Sequence, residues 1–340
     1  ILFGNIASLL ISWVIGILLA YNGFGVWALL LHQIIYKLLL SIYYIFVSKL
    51  KIKLIFSIER LKILLKFGSK LLFASIITTI YEESRSLVIG KKYSSDDLGY
   101  FNRGKQFPYT ITLAINQSVQ SVMYSVFSKE KNDEQFIKTS YRNTILLSTF
   151  IVFPICVGLM VIAKPMIIVL LTSKWLQAVP FLIVFCIYYM MWPLRETSQQ
   201  LMSSLGRSDL YLKLEIIEKI IGILIIIFTM FINVYAIAIG LLIDGLISML
   251  INIIIVGKLI DFSFIKQLKV VVPNFLLSIL MGMLIYPISC LLKNNIILLV
   301  IQVLLGIVFY FILSIITRNK AINIIKEYIK EMKERKKTTV

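Results

Sequence analysis

Ten apolar stretches, each long enough to cross the hydrocarbon core of a bilayer, take up most of this chain. They run over 2–21, 24–48, 67–90, 108–128, 145–163, 178–204, 209–232, 234–257, 268–292 and 295–317. A crossing helix needs about 20 apolar residues, and lipid offers no hydrogen-bond partner to a backbone that is not helical or closed into a barrel. The expected fold class is therefore all-α: a polytopic helical membrane protein with about ten transmembrane helices. With 59% hydrophobic and 15% charged residues, a soluble domain would expose far too much apolar surface. The connections at Asn22-Gly23 and Asn233 are so short that the helices they join must be antiparallel neighbours. The connection at 91–107 reads as a small outer loop. Cys156, Cys186 and Cys290 fall in apolar segments without paired spacing, which predicts core packing rather than a disulfide or metal site.

The net charge of +18 is informative through its distribution. If the first helix starts in the cytoplasm, the cytoplasmic segments 49–70, 129–142, 207–213, 258–269 and 318–337 hold 24 Lys and Arg, against seven on the opposite side. That asymmetry follows the positive-inside rule and predicts that both ends of the chain are cytoplasmic. The tail from Arg318 to Lys337 interleaves Ile324, Ile325, Ile329 and Met332 with lysines, a pattern for an amphipathic helix on anionic membrane lipids. The segment Lys49–Lys66 reads the same way. Nucleic acid is not an expected partner. The chain opens on Ile1 and enters a span at once, and it is expected to lack an N-terminal part.

A charge at mid-bilayer costs about 2.5–3.5 kcal/mol on insertion scales, so each one kept there has a packing or functional reason. Lys37 lies near the centre of the second span, with His32 and Gln33 about one turn away. In the third span Ser75, Thr78, Glu82 and Arg85 share one face at spacings of three, four and three, and Glu82 can pair with Arg85 along it. Glu83 lies off that stripe. The fourth span carries Asn116 and Gln120 on one face and Gln117 and Ser121 on another, which suits a cavity wall or hydrogen bonds to neighbouring helices. The sixth bends at Pro193 and then presents Arg195, Glu196, Gln199 and Gln200. Asp244, beside Gly245 in the eighth, suits either a coupling proton or a bond to a neighbouring Asn or Ser. Arg85, Lys37 and Arg195 sit at graded depths and would suit an anionic group if all three faced one cavity.

No P-loop, metal-ligand cluster, nucleophile pair or nucleotide fingerprint is present, and Glu82 and Glu83 point about 100° apart on a helix. Neither ATP-driven transport nor two-carboxylate hydrolysis is indicated.

Several stretches, in order along the chain, resemble the Wzx-like polysaccharide flippases of the multidrug/oligosaccharidyl-lipid/polysaccharide exporter superfamily. They are YNGFGVWALL at 21–30, FGSKLL at 67–72, YSSDDLGYFNRGKQFP at 93–108, AKPMIIVLLTSKWLQAVPFL at 163–182 and GRSDLYLKLEIIEKIIG at 206–222. The resemblance implies a two-lobe helical bundle. Residues 1–48 would be the last two helices of the N-terminal lobe and 49–257 the six-helix C-terminal lobe. Residues 258–317 would be a terminal helix pair, followed by a basic cytoplasmic tail at 318–340. It also implies a flippase, not an enzyme, moving an undecaprenyl-pyrophosphate-linked oligosaccharide across the membrane by alternating access. A polysaccharide polymerase and glycosyltransferases would be partners, and no cofactor beyond a coupling H+ or Na+ is implied. On that plan Arg85, Arg195 and Lys37 would contact pyrophosphate or acidic sugar. Asn116, Gln120 and Gln199 would hydrogen-bond the cargo, with Glu82 or Asp244 as a coupling site. The alternatives are a cation-coupled multidrug exporter and a membrane polysaccharide polymerase or ligase.

Overall fold

The computed structural model describes residues 2–48, 57–129 and 133–326, and these are helical throughout apart from short connections. They divide into two compact units, Ile1–Phe73 and Ala74–Val340.

The first unit contains the antiparallel pair α1 (Leu2–Tyr21) and α2 (Val26–Ser48). Its helices meet through small residues, as lipid-embedded pairs do where no hydrophobic force drives association. A Cβ on Gly4 would collide with the Tyr43 ring, and one on Gly16 would lie 3.0 Å from His32 Cβ. The tight connection is turned by Gly23 at φ +81, a left-handed conformation that disfavours any side chain. Lys37 belongs to this unit, with its ammonium 5.4 Å from the centroid of the Tyr36 ring.

Helix α3 (Ile58–Lys92) starts in the first unit and continues into the second. It is followed by α4 (Ser95–Lys129) and α5 (Glu134–Leu171). All three outrun their apolar stretches. The segment 91–107, expected as a loop, is mostly the first part of α4. A reciprocal cap explains the early start: Ser94 Oγ accepts from Asp97 N at 3.0 Å, while Asp97 accepts from Ser94 N at 3.3 Å. Charged residues beyond the cap end the hydropathy signal without ending the helix. After a 3-10 turn at Ser173–Ala178 come α6 (Val179–Met190) and α7 (Trp192–Ser204), parted at Met191, with Pro193 in the first turn of α7. The expected bend of the sixth span is therefore a break between two helices. Helices α8 (Ser208–Thr229), α9 (Val234–Leu259), α10 (Phe264–Ile285), α11 (Ile288–Leu291) and α12 (Asn295–Ile316) follow. Asn233 caps α9 by accepting from Ala236 N at 2.7 Å, and α8 packs on α9 as its short connection requires.

Among the described residues, seven segments are long and apolar enough to cross a membrane, and the protein is a multi-pass membrane protein. The three expected spans outside that set lie on α3, α4 and α8; α8 carries Lys213, Glu215, Glu218 and Lys219 within its apolar run, and parts of α3 and α4 have side chains outside the described residues. Of the cysteines, Cys156 and Cys186 are buried, but Cys290, on α11, is exposed and corrects the expectation of core packing there. The tail is helical to Lys326, with Ile322, Ile324 and Ile325 packed on the core; Ile329 and Met332 lie outside the described residues, as does 49–56 of the first basic segment.

Helix α5 is the hub of the second unit, touching α4, α6, α7, α10 and α12. Buried polar bonds hold these contacts. The Tyr141 hydroxyl donates to Gln267 Oε1 at 3.0 Å and lies 2.9 Å from Ser198 Oγ, joining α5 to α10 and α7. Asn274 Nδ2 donates to Leu146 O and Thr149 Oγ1, both at 2.9 Å, and Asn274 Oδ1 accepts from Asn319 at 2.8 Å. The Tyr310 hydroxyl donates to Phe150 O at 2.8 Å. Such bonds are worth about 0.6 kcal/mol each on average in a membrane protein. They fix register, while close packing supplies most of the cohesion.

Gly104 marks the closest approach of α4 to α6: a Cβ there would lie 2.6 Å from Phe181 Cβ and 2.8 Å from Leu182 N. Backbone cannot yield as a flexible side chain can. Gly104→Ala should destabilise the protein by about 1–3 kcal/mol, read as a lower unfolding temperature in detergent. Gly158→Ala, whose Cβ would meet only Met281 Cε at 4.0 Å, should leave that temperature unchanged or slightly raised.

Candidate functional site

A second set of polar residues in the apolar helices of the second unit, apart from those that bond within the framework, lines one cavity of about 530 Å³. Its walls come from α3, α4, α6, α7, α8 and α9. Helical spacing brings each element's polar groups to the same side: Tyr81 and Arg85 on α3, Tyr109 and Asn116 on α4, Trp192, Arg195 and Gln199 on α7. Helix α8 adds Tyr211, Glu215, Glu218 and Lys219, and α9 adds Asp244 and Ser248.

Arg85 and Asp244 form the buried ion pair of the site, with Arg85 Nη2 donating to Asp244 Oδ2 at 2.8 Å. The Tyr81 hydroxyl donates to the same oxygen at 3.2 Å. Two glycines make room for this group. A Cβ on Gly222 would collide with the Tyr81 hydroxyl, and one on Gly245 would lie 2.7 Å from the Tyr188 ring. The expected pairing of Glu82 with Arg85 along α3 is therefore replaced by a pairing between helices. Arg85 is 5% exposed, and at that burial the guanidinium is engaged by the residue that shares its enclosure. Asp244 is likewise bonded to an arginine and a tyrosine, not to a neighbouring Asn or Ser, which is one of the two readings its sequence position allows. Among the described residues Glu82 and Glu83 have no ion-pair partner, and both line the cavity.

A second charged group surrounds Arg195. Its Nε donates to Glu218 Oε2 at 3.0 Å and its Nη2 lies 2.9 Å from the same oxygen. Glu196 and Glu215 stand at 3.6 and 3.9 Å, and Glu215 also pairs with Lys219 at 3.0 Å. Asn252, fully buried on α9, donates to Glu218 and to Ser248 O. One guanidinium thus gathers three carboxylates. The cavity walls as a whole carry four cations, Arg85, Lys105, Arg195 and Lys219, against six carboxylates, Glu82, Glu83, Glu196, Glu215, Glu218 and Asp244. This cavity is acidic within a basic chain.

Of the residues singled out from the sequence, Arg85, Arg195, Asn116, Gln199, Glu82 and Asp244 all line this one cavity. Gln120 lies on α4 one turn beyond Asn116, and its side chain is outside the described residues. Lys37 is in the first unit. Sequence reasoning missed Glu215, Glu218 and Lys219, although their spacing of three and four in an apolar span is the signal that drew attention to α3. It also missed Lys105, hidden in the supposed loop, and the rings of Tyr109, Tyr188 and Trp192, which look like ordinary apolar filling in a span.

Comparison with known proteins agrees with this architecture. Residues 1–180 match the family described as polysaccharide biosynthesis protein. The chain is 26% identical over 156 residues to the teichuronic acid biosynthesis protein TuaB of Bacillus subtilis, covering 46% of this chain and 32% of that protein. It is 26% identical over 169 residues to the succinoglycan biosynthesis transport protein ExoT of Rhizobium meliloti, covering 50% of this chain and 34% of that one. With the lipopolysaccharide biosynthesis protein WzxC of Escherichia coli it shares 21% identity over 47% of this chain and 32% of the relative. These matches span about a third of the relatives' length. Among solved structures, the lipid II flippase MurJ in an inward closed conformation superposes with a TM-score of 0.71 at 22% identity, over 91% of this chain and 65% of that one. At that identity the likeness establishes the fold. With its family model matched over residues 1–180, more than half of its length, the chain belongs to the polysaccharide biosynthesis protein family.

Proposed function

We propose that the protein containing this chain is a flippase that moves an undecaprenyl-pyrophosphate-linked oligosaccharide repeat across the bacterial cytoplasmic membrane for surface polysaccharide synthesis. The observation that carries this reading is a polar, charged cavity of about 530 Å³ enclosed by apolar helices, in a fold like that of a lipid II flippase. A cavity of this kind replaces the water that a sugar headgroup loses on leaving the cytoplasm. The named relatives act in the biosynthesis or transport of teichuronic acid, succinoglycan and lipopolysaccharide, which fits the same class of cargo. On this reading the protein is a transporter and not an enzyme, and both ends of the chain face the cytoplasm, where the 24 basic residues collect.

Within the site, Asn116, Gln120 and Gln199 are the proposed hydrogen-bonding residues. Arg85 and Arg195 already hold Asp244 and Glu218, so either one reaches a pyrophosphate or acidic sugar only by exchanging its partner. That exchange is a route to coupling: a proton or Na+ taken up at Asp244 would release Arg85, and Glu82, which lines the same cavity without holding Arg85, is the second candidate for the coupling site. Lys37 is proposed as a further phosphate contact. A polymerase and glycosyltransferases are the proposed cellular partners.

The reading is tested by the leaflet on which lipid-linked repeats accumulate in cells deleted for the gene, with an impermeant reagent that modifies outward-facing sugars. Repeats stranded on the cytoplasmic leaflet are expected. Unpolymerised repeats on the outer leaflet would instead establish a polymerase or ligase defect.

Two substitutions separate structure from transport at the buried pair. Arg85→Gln or Asp244→Asn alone leaves one charge uncompensated, costing about 3–5 kcal/mol, and should lower membrane abundance. The double variant Arg85→Gln/Asp244→Asn should recover abundance yet remain unable to export. Normal export by the double variant would remove both residues from the mechanism.

A further inference from the structure

One feature of the cavity lies outside the charged groups. Tyr109 on α4 faces Trp192 on α7, with ring centroids 5.9 Å apart and planes at 76°. Behind them Tyr189, only 2% exposed, stands 4.8 Å from Trp192 and 5.9 Å from Tyr109 and fixes both rings. Tyr109 is 37% exposed, and Lys105 approaches its ring to 5.7 Å.

The register of the helices extends this pair into a two-level arrangement. Contacts advance together along the two runs, from Tyr100 with Trp175, through Phe101 with Phe181 and Phe185, to Tyr109 with Trp192. Helix α4 is therefore parallel to the α6–α7 run. Asn116 stands seven residues beyond Tyr109 and Gln199 seven beyond Trp192, which is two turns on the same face of each helix. At 1.5 Å per residue the amide level lies about 10 Å from the aromatic level. Both amides are more than nine-tenths buried, both residues line the cavity, and among the described residues neither Asn116 Nδ2 nor Gln199 Nε2 has a hydrogen-bond partner. Buried donors left unpaired cost about 1–3 kcal/mol each, which a bound ligand with acceptor oxygens would recover.

The geometry points to a saccharide subsite formed by Tyr109 and Trp192 at one level and Asn116 and Gln199 at the other, sized for two linked, uncharged pyranose rings. This rests on the flippase reading and names the part of the cargo that the cavity holds. The polarised C–H bonds on one face of a pyranose pack against the electron-rich faces of aromatic rings, while the next ring's hydroxyl or acetamido oxygens accept from the two amides. The excess of carboxylates in the walls favours a neutral sugar over an acidic one, and leaves acceptors for the remaining hydroxyl donors.

The test is binding to the purified protein in detergent micelles of two probes: undecaprenyl pyrophosphate bearing a neutral N-acetylhexosamine disaccharide, and undecaprenyl pyrophosphate without sugar. The wild type should bind the sugar-bearing probe more tightly. Tyr109→Leu and Asn116→Leu should each weaken that probe roughly threefold to tenfold, leaving the bare lipid unchanged, which also reports that the variants are folded. A disaccharide of equal length containing a uronic acid should lose most of the gain. The subsite is overturned if the variants bind both probes as the wild type does, or weaken both equally, or if the uronic acid probe binds as tightly as the neutral one. Failure of the wild type to bind either lipid would overturn the flippase reading along with it.

Discussion

A charge inside a lipid-spanning helix persists only where a partner or a wet cavity compensates it, and the arrangement of the second unit follows from that requirement. Arg85 and Asp244, 159 residues apart, meet at 2.8 Å with Tyr81 on the same carboxylate. To satisfy them, α3, α8 and α9 must turn their polar stripes toward one another. The opposite face of α8 then presents Ile216, Ile220, Leu224 and Ile227, all strongly exposed, to lipid. Arg195 with Glu218 and Asn252 repeats the device, so the two charged groups together fix which side of each helix borders the cavity.

The cavity is held by a framework that is itself built with polar bonds. Lipid tails compete with apolar side chains on equal terms, so register among α5, α7, α10 and α12 depends on buried bonds such as Tyr141 with Ser198 and Gln267, and Asn274 with Leu146 and Thr149. Ser198 sits one residue from Gln199. The same helix, α7, is thus locked to the hub on one side and offers its amide and its indole to the cavity on the other. A rigid wall of this kind preorganises hydrogen-bond donors without asking the cargo to order them.

Much of this was legible in the sequence because a bilayer enforces length. All ten apolar runs are helical in the structure, seven of them within segments long and apolar enough to cross a membrane among the described residues, and six of the eight candidate site residues line one cavity. What escaped was governed by longer range. The i, i+3 spacing of Glu82 and Arg85 suggested a local pair, but the choice between Glu82 and Asp244 is made by packing across helices. The Ser94 and Asp97 cap was readable, yet the polar residues after it argued for a loop on hydropathy alone. Glu215 and Glu218 are inconspicuous in an apolar run that also carries lysines, and their role as partners of Arg195 and Lys219 is set by packing between helices and along α8. Tyr109 and Trp192 were hidden by being aromatic in a span, where a ring is ordinarily packing.

The central claim is that this cavity holds the headgroup of a lipid-linked saccharide. Site-specific photocrosslinking in living cells addresses it directly, with a photoreactive amino acid at Gln117, an exposed residue of the cavity wall, and at Leu224, exposed on the outer face of α8. The account predicts saccharide-bearing adducts from position 117 and none carrying sugar from position 224. Sugar-bearing adducts in equal yield from both positions, or from position 224 alone, would contradict it.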